Sequence, residues 1–525
     1  MFDSLTGLTA REQKALERSW AKVFAEEAFP MINEQPFQVL YSDKASRPNT
    51  PVNVIIGALI IKELFNLSDD EVIENLLLDP RYQYALHTTS FAEQPISDKT
   101  LSRFRKRCYD YERLYGVDLY RNAITEMGSL TAKLMKIDGR IRRMDSLMIE
   151  SNIRKLSRME LLYKCISKLV TWLHENGHDD AIKTLEEYYD PNNFNRVIYH
   201  NRSTETDERM AKLLTDADLL LLSCRDQFEE VLEYQLLVRC LSEQTIVEDG
   251  KRRLLTKADG VMNSAAMQNP SDPDATYREK AGKKHRGYVV NVEESVGENG
   301  SVVTDYQLET NNYSDSRFFK DRMEQMEKQE DPTVYVTDGA YAGEENTRMA
   351  EERNIQLITT DLPGKDVPGI MKDFVLNEEE TRILQCPMGY APRSSSFIRQ
   401  SGTCTASFER SQCESCPYKD QCRPKIHKRV SKVRVTAKQV RRASLQEQMK
   451  SEEYKLFSRI RNGVETIPSI LKNVYDAGRM HVRGKIRSAF FMGSKIGALN
   501  FRKLFRFRQG KGNYAQNPLL CTQGV

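Results

Sequence analysis

Three carboxylate residues, far apart in the chain, have neighbours that suit chemistry on phosphate esters. Asp145 in RRMDSLMI and Asp338 in YVTDGAY each lie where a strand-like run is predicted to end, the first near Asp145–Ser146. Glu465 lies in the basic segment RNGVETIPSILK. Carboxylates at the ends of adjacent strands converge at one edge of a sheet, where α/β proteins bind ligands. A third acid from a helix would complete a site for Mg²⁺, which prefers oxygen ligands.

Each carboxylate also has a plain structural interpretation. An aspartate at a strand end can cap the next helix, and Glu465 can form a surface ion pair worth about a few tenths of a kcal/mol. On one helix, Arg461, Glu465 and Lys472 would lie within roughly 40° of one another. The two cations would then hold a phosphate strand beside the acids. Pro468 removes the hydrogen bond to the Val464 carbonyl, so we expect the helix to kink or break there.

The positive charge of the chain is concentrated in one segment. Residues 423–511 contain 24 Lys or Arg against five acids, whereas the whole chain has a formal net charge of only +3. A segregated basic segment is the electrostatic footprint of a polyanion, most simply nucleic acid. Phe501, Phe505 and Phe507 alternate with these cations. We therefore expect nucleic-acid contact here, and a solvated charged face is the alternative.

The first 135 residues are predicted to be helical. Pro51 suits the first position of a helix, and Ser68 followed by Glu71 is a capping-box pattern. Ser97 can cap a further, basic helix, and a short helix, a turn and a basic helix together indicate a helix-turn-helix. An ordinary amphipathic helix with a basic outer face is the alternative. The cations expected to contact DNA are Lys99, Arg103, Arg105 and Arg107.

The rest of the chain alternates between helical and strand-like patterns. Residues 151–245 are predicted to be mostly helical, and residues 287–296 and 302–311 are predicted to form paired strands. The clearest α/β unit has a strand at 334–337, a helix at 344–353 and a further strand at 355–359.

Composition favours a soluble intracellular protein. The longest apolar run, Val54–Ile61, is far shorter than the roughly 18 residues that span a bilayer. The first residues lack the charged and apolar regions of a secretory signal. Ten cysteines in 525 residues are too sparse for a disulfide scaffold and favour a reducing cytoplasm.

These stretches resemble the bacterial insertion-sequence transposases of the DDE type. The similarity spans roughly residues 35–510 and rests on MDSLMIESNIRKLSRMELL, DATYREKAGKKHRGYVVNV and VTDGAYAGEEN. It also rests on the helix motif Tyr-x2-Arg-x3-Glu-x6-Lys, whose last three positions are Arg461, Glu465 and Lys472. The tyrosine position is Ser458, and Pro468 is a second departure from the motif.

The resemblance implies an α/β fold, α+β over the whole chain, with a ribonuclease-H-like mixed sheet flanked by helices. It implies a helical DNA-binding domain at 1–135 and a catalytic domain at 136–525. The long spacings between the acids place a helical insertion at about 155–260 and a Cys-rich insertion at about 365–450.

The resemblance also implies an activity. Asp145, Asp338 and Glu465 would be the catalytic residues and would bind two Mg²⁺ or Mn²⁺ ions, and Arg461 and Lys472 would contact DNA. The protein would bind the terminal inverted repeats of its element in double-stranded DNA, cleave there and transfer the 3′-hydroxyl ends to target DNA. It would act as a homodimer on DNA, at the nucleoid in the cytoplasm.

Alternatives remain for the first catalytic acid and for the function of the protein. Asp138 in KIDGR is a rival for the first acid, but it precedes a turn-like glycine, and the sequence around Asp145 fits the family pattern better. Ser458 and Pro468 favour a DNA-binding protein that has lost catalysis. A metal-dependent nuclease without strand transfer is a third interpretation.

A cysteine cluster predicts a structural Zn²⁺ site. A tetrahedral zinc ion takes four thiolates, and in a short insertion it would replace a hydrophobic core. The resemblance makes Cys404 the spare thiol, and His427 is a less favoured ligand. A reduced loop that packs without metal is the alternative. The expected ligands are Cys386, Cys413, Cys416 and Cys422.

Overall fold

The first part of the chain folds into helices. The computed structural model describes residues 3–42, 49–89, 96–199, 205–260, 263–280, 282–360, 366–463 and 466–510. The predicted caps Ser68 and Ser97 are confirmed, since both side chains accept backbone N–H groups, whereas Pro51 precedes the first helical residue of its helix. The helices are α1 (Ala10–Glu17), α2 (Trp20–Val23), α3 (Val52–Leu64), α4 (Asp69–Leu78), α5 (Pro80–Ala85), α6 (Asp98–Tyr115) and α7 (Leu119–Leu134).

The middle of the chain supplies the strands of a mixed sheet and a block of helices. No helix in the described ranges is long and apolar enough to cross a membrane. In chain order the elements are β1 (Ile141–Glu150), α8 (Arg158–Glu175), α9 (Asn193–Ile198), α10 (Thr206–Cys224), α11 (Leu232–Gln244), β2 (Thr245–Glu248), β3 (Lys251–Leu254), β4 (Thr276–Lys280), β5 (Lys283–Gly297), β6 (Gly300–Thr310), α12 (Asp315–Gln325), β7 (Thr333–Thr337), α13 (Glu344–Glu352) and β8 (Ile355–Thr359).

The last part of the chain holds a smaller sheet followed by helices. Its elements are β9 (Val375–Leu376), β10 (Ile383–Gln385), β11 (Ser394–Ile398), β12 (Thr403–Glu409), α14 (Arg410–Glu414), α15 (Lys419–Cys422), β13 (Lys425–Ile426), β14 (Val430–Thr436), α16 (Ala437–Gln448), α17 (Glu452–Asn462), α18 (Thr466–Asn473) and α19 (Lys485–Arg508).

The main sheet is mixed. Its strand order is β4-β5-β1-β7-β8, and β6 also pairs with β5. The pairs formed by β1, β4 and β6 with β5 are antiparallel, whereas β1–β7 and β7–β8 are parallel. The predicted strand pair and the predicted α/β unit are both confirmed. The expected fold class, a mixed sheet flanked by helices, is thus confirmed, and this topology is consistent with a ribonuclease-H-like core.

The helical block and the smaller sheet each have an apolar core of their own. The core of the first gathers buried residues from α8, α10 and α11. That of the second gathers the inner faces of β12 and β14 with α16. The largest core joins the N-terminal helices, the main sheet and α19. Because this core crosses residue 135, the domain boundaries stay a prediction.

The C-terminal helix α19 packs inside the protein. It contacts α3, α7 and β6, and Gly493 permits this approach, because a Cβ there would lie 2.3 Å from the Tyr306 hydroxyl. Phe501 is buried, and Phe505 and Phe507 pack partly against the same core. The expectation that these aromatic residues accompany a DNA surface is therefore wrong, since they hold α19 in place.

Two lysines of the basic segment are structural for the same reason. Lys503 lies 2.6 Å from the Oε1 of Glu294, which is fully buried, and Arg143 donates from Nε to Oε2 of Glu294 at 2.8 Å. Lys495 is buried with Glu63, at 2.6 Å. Buried charges occur in proteins where they are paired in this way. Part of the positive charge that indicated nucleic acid therefore lies in the core.

The carboxylate of Glu294 stays ionised in this setting. Burial raises its pKa, but the charges of Lys503 and Arg143 outweigh burial and lower the pKa to about 2. Burial also lowers the pKa of Lys503, which favours the neutral amine, whereas the lowered pKa of Glu294 favours the charged carboxylate. The short contacts of Glu294 to both cations decide for the charged form.

We expect Lys503→Met to lower the free energy of unfolding by about 3–5 kcal/mol, because it leaves a buried carboxylate with one cation fewer. Urea denaturation at pH 7 measures this. Arg506→Met is the matched control on the exposed side of α19 and should change stability by less than about 0.5 kcal/mol.

The same ion cluster predicts how stability depends on pH. The pKa of Glu294 is lowered on folding, so its contribution is complete above the unfolded value near 4.3 and is lost as the pH falls toward about 2. The wild-type protein should therefore lose more stability over this range than Lys503→Met. Equal losses for the two proteins would contradict the assignment.

Candidate active site

Asp145 lies inside a strand and not at its end. The expectation that the strand stops near Asp145 is wrong, because β1 pairs with β5 along its whole length, from Ile141 to Glu150. The parallel pairing of β1 with β7, in contrast, covers only residues 141–143. Asp145 therefore lies just beyond the residues of β1 that pair with β7, in a part of β1 that pairs only with β5.

Asp338 comes directly after the last residue of β7, as predicted. The register pairs Arg143 with Val336. Continued by two residues, this register puts Asp145 beside Asp338. The structure thus brings together the two predicted aspartates, which are 193 positions apart in the sequence.

Asp145 ionises with difficulty in this position. Burial raises its pKa to about 6, and the negative charge of Asp338 acts in the same direction. The Ser146 N–H, which donates to the Asp145 carboxylate at 2.8 Å, and the nearby charges of Arg461 and Lys280 only partly offset burial. A carboxylate held in this way gains from any further positive charge.

Arg461 supplies one such charge from α17. Its Nη2 lies 3.9 Å from Oδ2 of Asp338, whose side chain is 24% exposed. The other oxygen of Asp338 accepts the Ala340 N–H at 2.9 Å. The turn after β7 therefore holds one oxygen of this carboxylate, and the guanidinium lies near the other oxygen.

Tyr341 is a residue of this site that sequence reasoning missed. It is fully buried, and Asn291 donates to its hydroxyl at 2.5 Å. Burial raises its pKa well above the usual value, with the charges of Asp315, Asp145 and Asp338 adding to the effect. The hydroxyl therefore stays neutral beside the two aspartates. Its place three residues after Asp338, in VTDGAY, was a signal that could have found it.

The third predicted acid lies outside the described residues. α17 ends at Asn462 and α18 begins at Thr466, and Val464 and Glu465 are not described. The single helix expected to carry Arg461, Glu465 and Lys472, and the break expected from Pro468, both run through these two positions and so lie outside the described residues. Pro468 lies in the first turn of α18, where a missing N–H costs no helical hydrogen bond.

Arg143 connects the strand of Asp145 to the end of α17. Its Nη1 donates to the Ile460 carbonyl at 2.7 Å, near the C-terminus of that helix. A Cβ at Gly463 would lie 2.2 Å from the same nitrogen. A side chain at position 463 would therefore require the buried guanidinium of Arg143 to move.

The predicted DNA-contacting cations fall into two groups. Lys99, Arg103 and Arg107 are exposed on α6, and Lys472 is exposed on α18. Arg105, in contrast, is buried and donates to both oxygens of Asp69, at 2.5 and 2.8 Å. Its assignment to DNA is therefore wrong, because its guanidinium joins α6 to α4.

The predicted zinc ligands line one pocket. Cys386, Cys413, Cys416 and Cys422 border it together with aromatic side chains such as Phe408. Burial raises the pKa of Cys422 to about 11, and the other three thiols act in the same direction. Cys404, predicted to be the spare, is buried elsewhere in the core, where its Sγ donates to the Glu380 carbonyl at 3.3 Å.

Proximity alone does not make a formed metal centre. Within the described ranges, no three His, Cys, Asp or Glu side chains are arranged to hold a metal ion. The thiols line a common pocket without such an arrangement, and the two aspartates lack a third described acid. Both metal sites therefore stay predictions.

Two protein families match separate parts of the chain. Residues 12–107 match the family described as "Transposase domain (DUF772)", and residues 385–505 match the family described as "Transposase DDE domain". Both matches support the predicted resemblance to the insertion-sequence transposases of the DDE type. The first match covers the N-terminal helices through much of α6, and the second runs from the Cys-bearing sheet into α19.

The other comparisons add little to these two family matches. None of the compared curated proteins matches this chain. A piggyBac transposase, solved as a synaptic complex with hairpin DNA, is similar at 9% identity and a TM-score of 0.31, over 98% of this chain and 77% of that chain. A TM-score this low supports no structural conclusion.

We expect Asp145→Asn to raise the free energy of unfolding at pH 7 by about 1–3 kcal/mol, because the native state there must ionise a carboxyl with a pKa near 6. The pKa is raised on folding, so the wild-type penalty should grow as the pH rises from about 4 to 6 and then level off. Denaturation curves at pH 4 and pH 7 measure this. Asp138→Asn, an exposed neighbour, should show no such gain.

Proposed function

We propose that this protein is a transposase that cleaves DNA at the ends of its element and transfers the 3′-hydroxyl ends to target DNA, with Asp145, Asp338 and Glu465 as its catalytic acids. The observation that supports this most directly is the placement of Asp145 beside Asp338, with the guanidinium of Arg461 3.9 Å from Asp338. Two close carboxylates, one of them costly to ionise, are arranged for a cation.

The donor set fits Mg²⁺ or Mn²⁺. Asp145 and Asp338 offer hard oxygen ligands, Glu465 would add a third, and few carboxylates suffice because Mg²⁺ keeps waters and substrate phosphates. When bound, two such ions would activate a water or a 3′-hydroxyl and stabilise the leaving oxygen. Asp145 must first lose its proton, so metal affinity should fall below about pH 6.

The surrounding side chains would position the DNA. Arg461 and Lys472 would pair with phosphates of the strand to be cut. Tyr341, held by Asn291, would keep a neutral hydroxyl against the Asp145 strand and add no further negative charge. The exposed cations of α6, Lys99, Arg103 and Arg107, would contact the inverted repeats. Two copies would join two ends, at the nucleoid in the cytoplasm.

Cleavage of the DNA that flanks the gene tests this function. With Mg²⁺, wild-type protein should nick and join end-containing DNA, and Asp145→Asn, Asp338→Asn and Glu465→Gln should each lose at least about 10³-fold in rate while still binding DNA. Asp138→Asn is the matched control and should keep wild-type activity.

Each other result has a distinct meaning. Normal cutting by Glu465→Gln would mean that another residue is the third acid. End binding by wild-type protein without cleavage would identify a transposase derivative that has lost catalysis. Nicking without joining would identify a nuclease.

We further propose that Cys386, Cys413, Cys416 and Cys422 hold one structural Zn²⁺. Support comes from the shared pocket of the four thiols. Zn²⁺ in structural sites takes four ligands in a tetrahedral arrangement, and thiolates are among the ligands it binds most often. Zinc would also remove the mutual repulsion that opposes ionisation of Cys422.

Metal analysis of the purified protein tests the zinc proposal. We expect about one zinc per chain, lost in Cys413→Ser and kept in Cys404→Ala, which removes the thiol bonded to the Glu380 carbonyl. Chelation should lower the thermal stability of wild-type protein and leave Cys413→Ser unchanged. Equal zinc content in both variants would contradict the ligand set.

A further inference from the structure

The smaller sheet has one apolar face and one polar face. Its order is β11-β12-β14-β13, and the residues of β12 and β14 alternate between buried and open positions. The buried face carries side chains such as Phe408, Val433 and Val435. On β14, the residues between them are Lys432 and Arg434, and both are exposed.

The strand register arranges the polar face into rows. Lys432 lies opposite Lys425 on one side and Ser407 on the other. Arg434 lies opposite Thr405. Two lysines directly opposite each other repel and destabilise a sheet. A fold that keeps such a pair on an open face has a charge arrangement that suits an anionic partner.

These cations border a groove. Its volume is about 850 Å³, and its wall includes Lys425, Lys432 and Arg434 with Arg423, which follows α15. Asp366 is an acid of the same wall, and its Oδ1 accepts from Gln446 at 2.6 Å. No ion pair within the described ranges involves any of the four cations. The groove is therefore positively charged on balance.

We propose that this groove binds the phosphate backbone of DNA, at a site separate from the carboxylates of the active site. The inference rests on the proposed function for its partner. Lys and Arg, assisted by Ser and Thr hydroxyls, are the side chains that contact phosphate and sugar in protein–DNA complexes. Contacts of this kind carry no sequence information, so the groove adds affinity for DNA of any sequence.

The surface also explains where the charge of the basic segment acts. Lys495 and Lys503 are buried in ion pairs and are unavailable to DNA. The groove residues lie at the other end of the same segment and are exposed. The family match from residue 385 onward covers this sheet, which associates the groove with the transposase domain.

The test is a triple variant, Lys425→Gln, Lys432→Gln and Arg434→Gln, in the full-length protein. The control variant, Arg225→Gln, Lys251→Gln and Lys257→Gln, removes the same number of Lys and Arg charges from exposed positions of the helical block. Fluorescence anisotropy with random-sequence duplex DNA, over a range of salt concentrations, measures binding.

We expect the groove variant to bind random duplex at least about tenfold more weakly than the control at moderate salt, with a salt slope lower by about 2.7, since each lost phosphate contact removes about 0.9. Its melting temperature should not fall, because the repulsion between Lys425 and Lys432 is relieved. Lys432→Gln alone should show the same direction in both measurements.

Three results would overturn the inference. These are equal affinities and slopes for the two triple variants, a loss confined to one DNA sequence, and a lower melting temperature that accounts for the lost binding. Failure of wild-type protein to bind any DNA would instead overturn the proposed function. Loss of RNA binding by the groove variant, with unchanged DNA binding, would show that the groove binds RNA and not DNA.

Discussion

The buried charge cluster around Glu294 is the interaction on which the arrangement of the site depends. Glu294 on β5 pairs with Lys503 of α19 and with Arg143 of β1, and Arg143 also holds the end of α17 through the Ile460 carbonyl. One fully buried carboxylate therefore ties together the strand of Asp145, the C-terminal helix and the helix of Arg461. Because each partner would otherwise be an unpaired charge in the core, these elements cannot shift independently.

Much of the fold was predictable from local patterns. The caps at Ser68 and Ser97, the strand pair β5–β6 and the unit from β7 to β8 follow from capping residues, alternation and turn glycines, which act over a few positions. The role of α19 was not predictable in this way. In the sequence, its lysines and phenylalanines indicate a basic aromatic surface. Only the tertiary fold shows that the lysines pair with Glu63 and Glu294 and that the phenylalanines pack in an apolar core.

In the candidate site, too, some features were predictable from local sequence and others depend on contacts between distant residues. Asp145 and Asp338 were identified as the acids of interest, yet the end of β1 was misplaced, because β5 extends the pairing of β1 beyond that of β7. Tyr341 and Arg143 act through contacts with residues distant in the chain, which spacing alone does not reveal. Arg105 shows the converse, since an arginine in a basic helix can be turned inward by one acid, Asp69.

The position of α19 has a consequence for synthesis of the protein on the ribosome. Phe24 packs against Phe501, with ring centroids 4.9 Å apart, so this contact forms only after residue 501 has been synthesised. At about 5–20 residues per second, the interval between the two residues lasts roughly half a minute or longer. During it the parts of α3 and α7 that pack against α19 lack this partner, which leaves apolar surface exposed on the nascent chain.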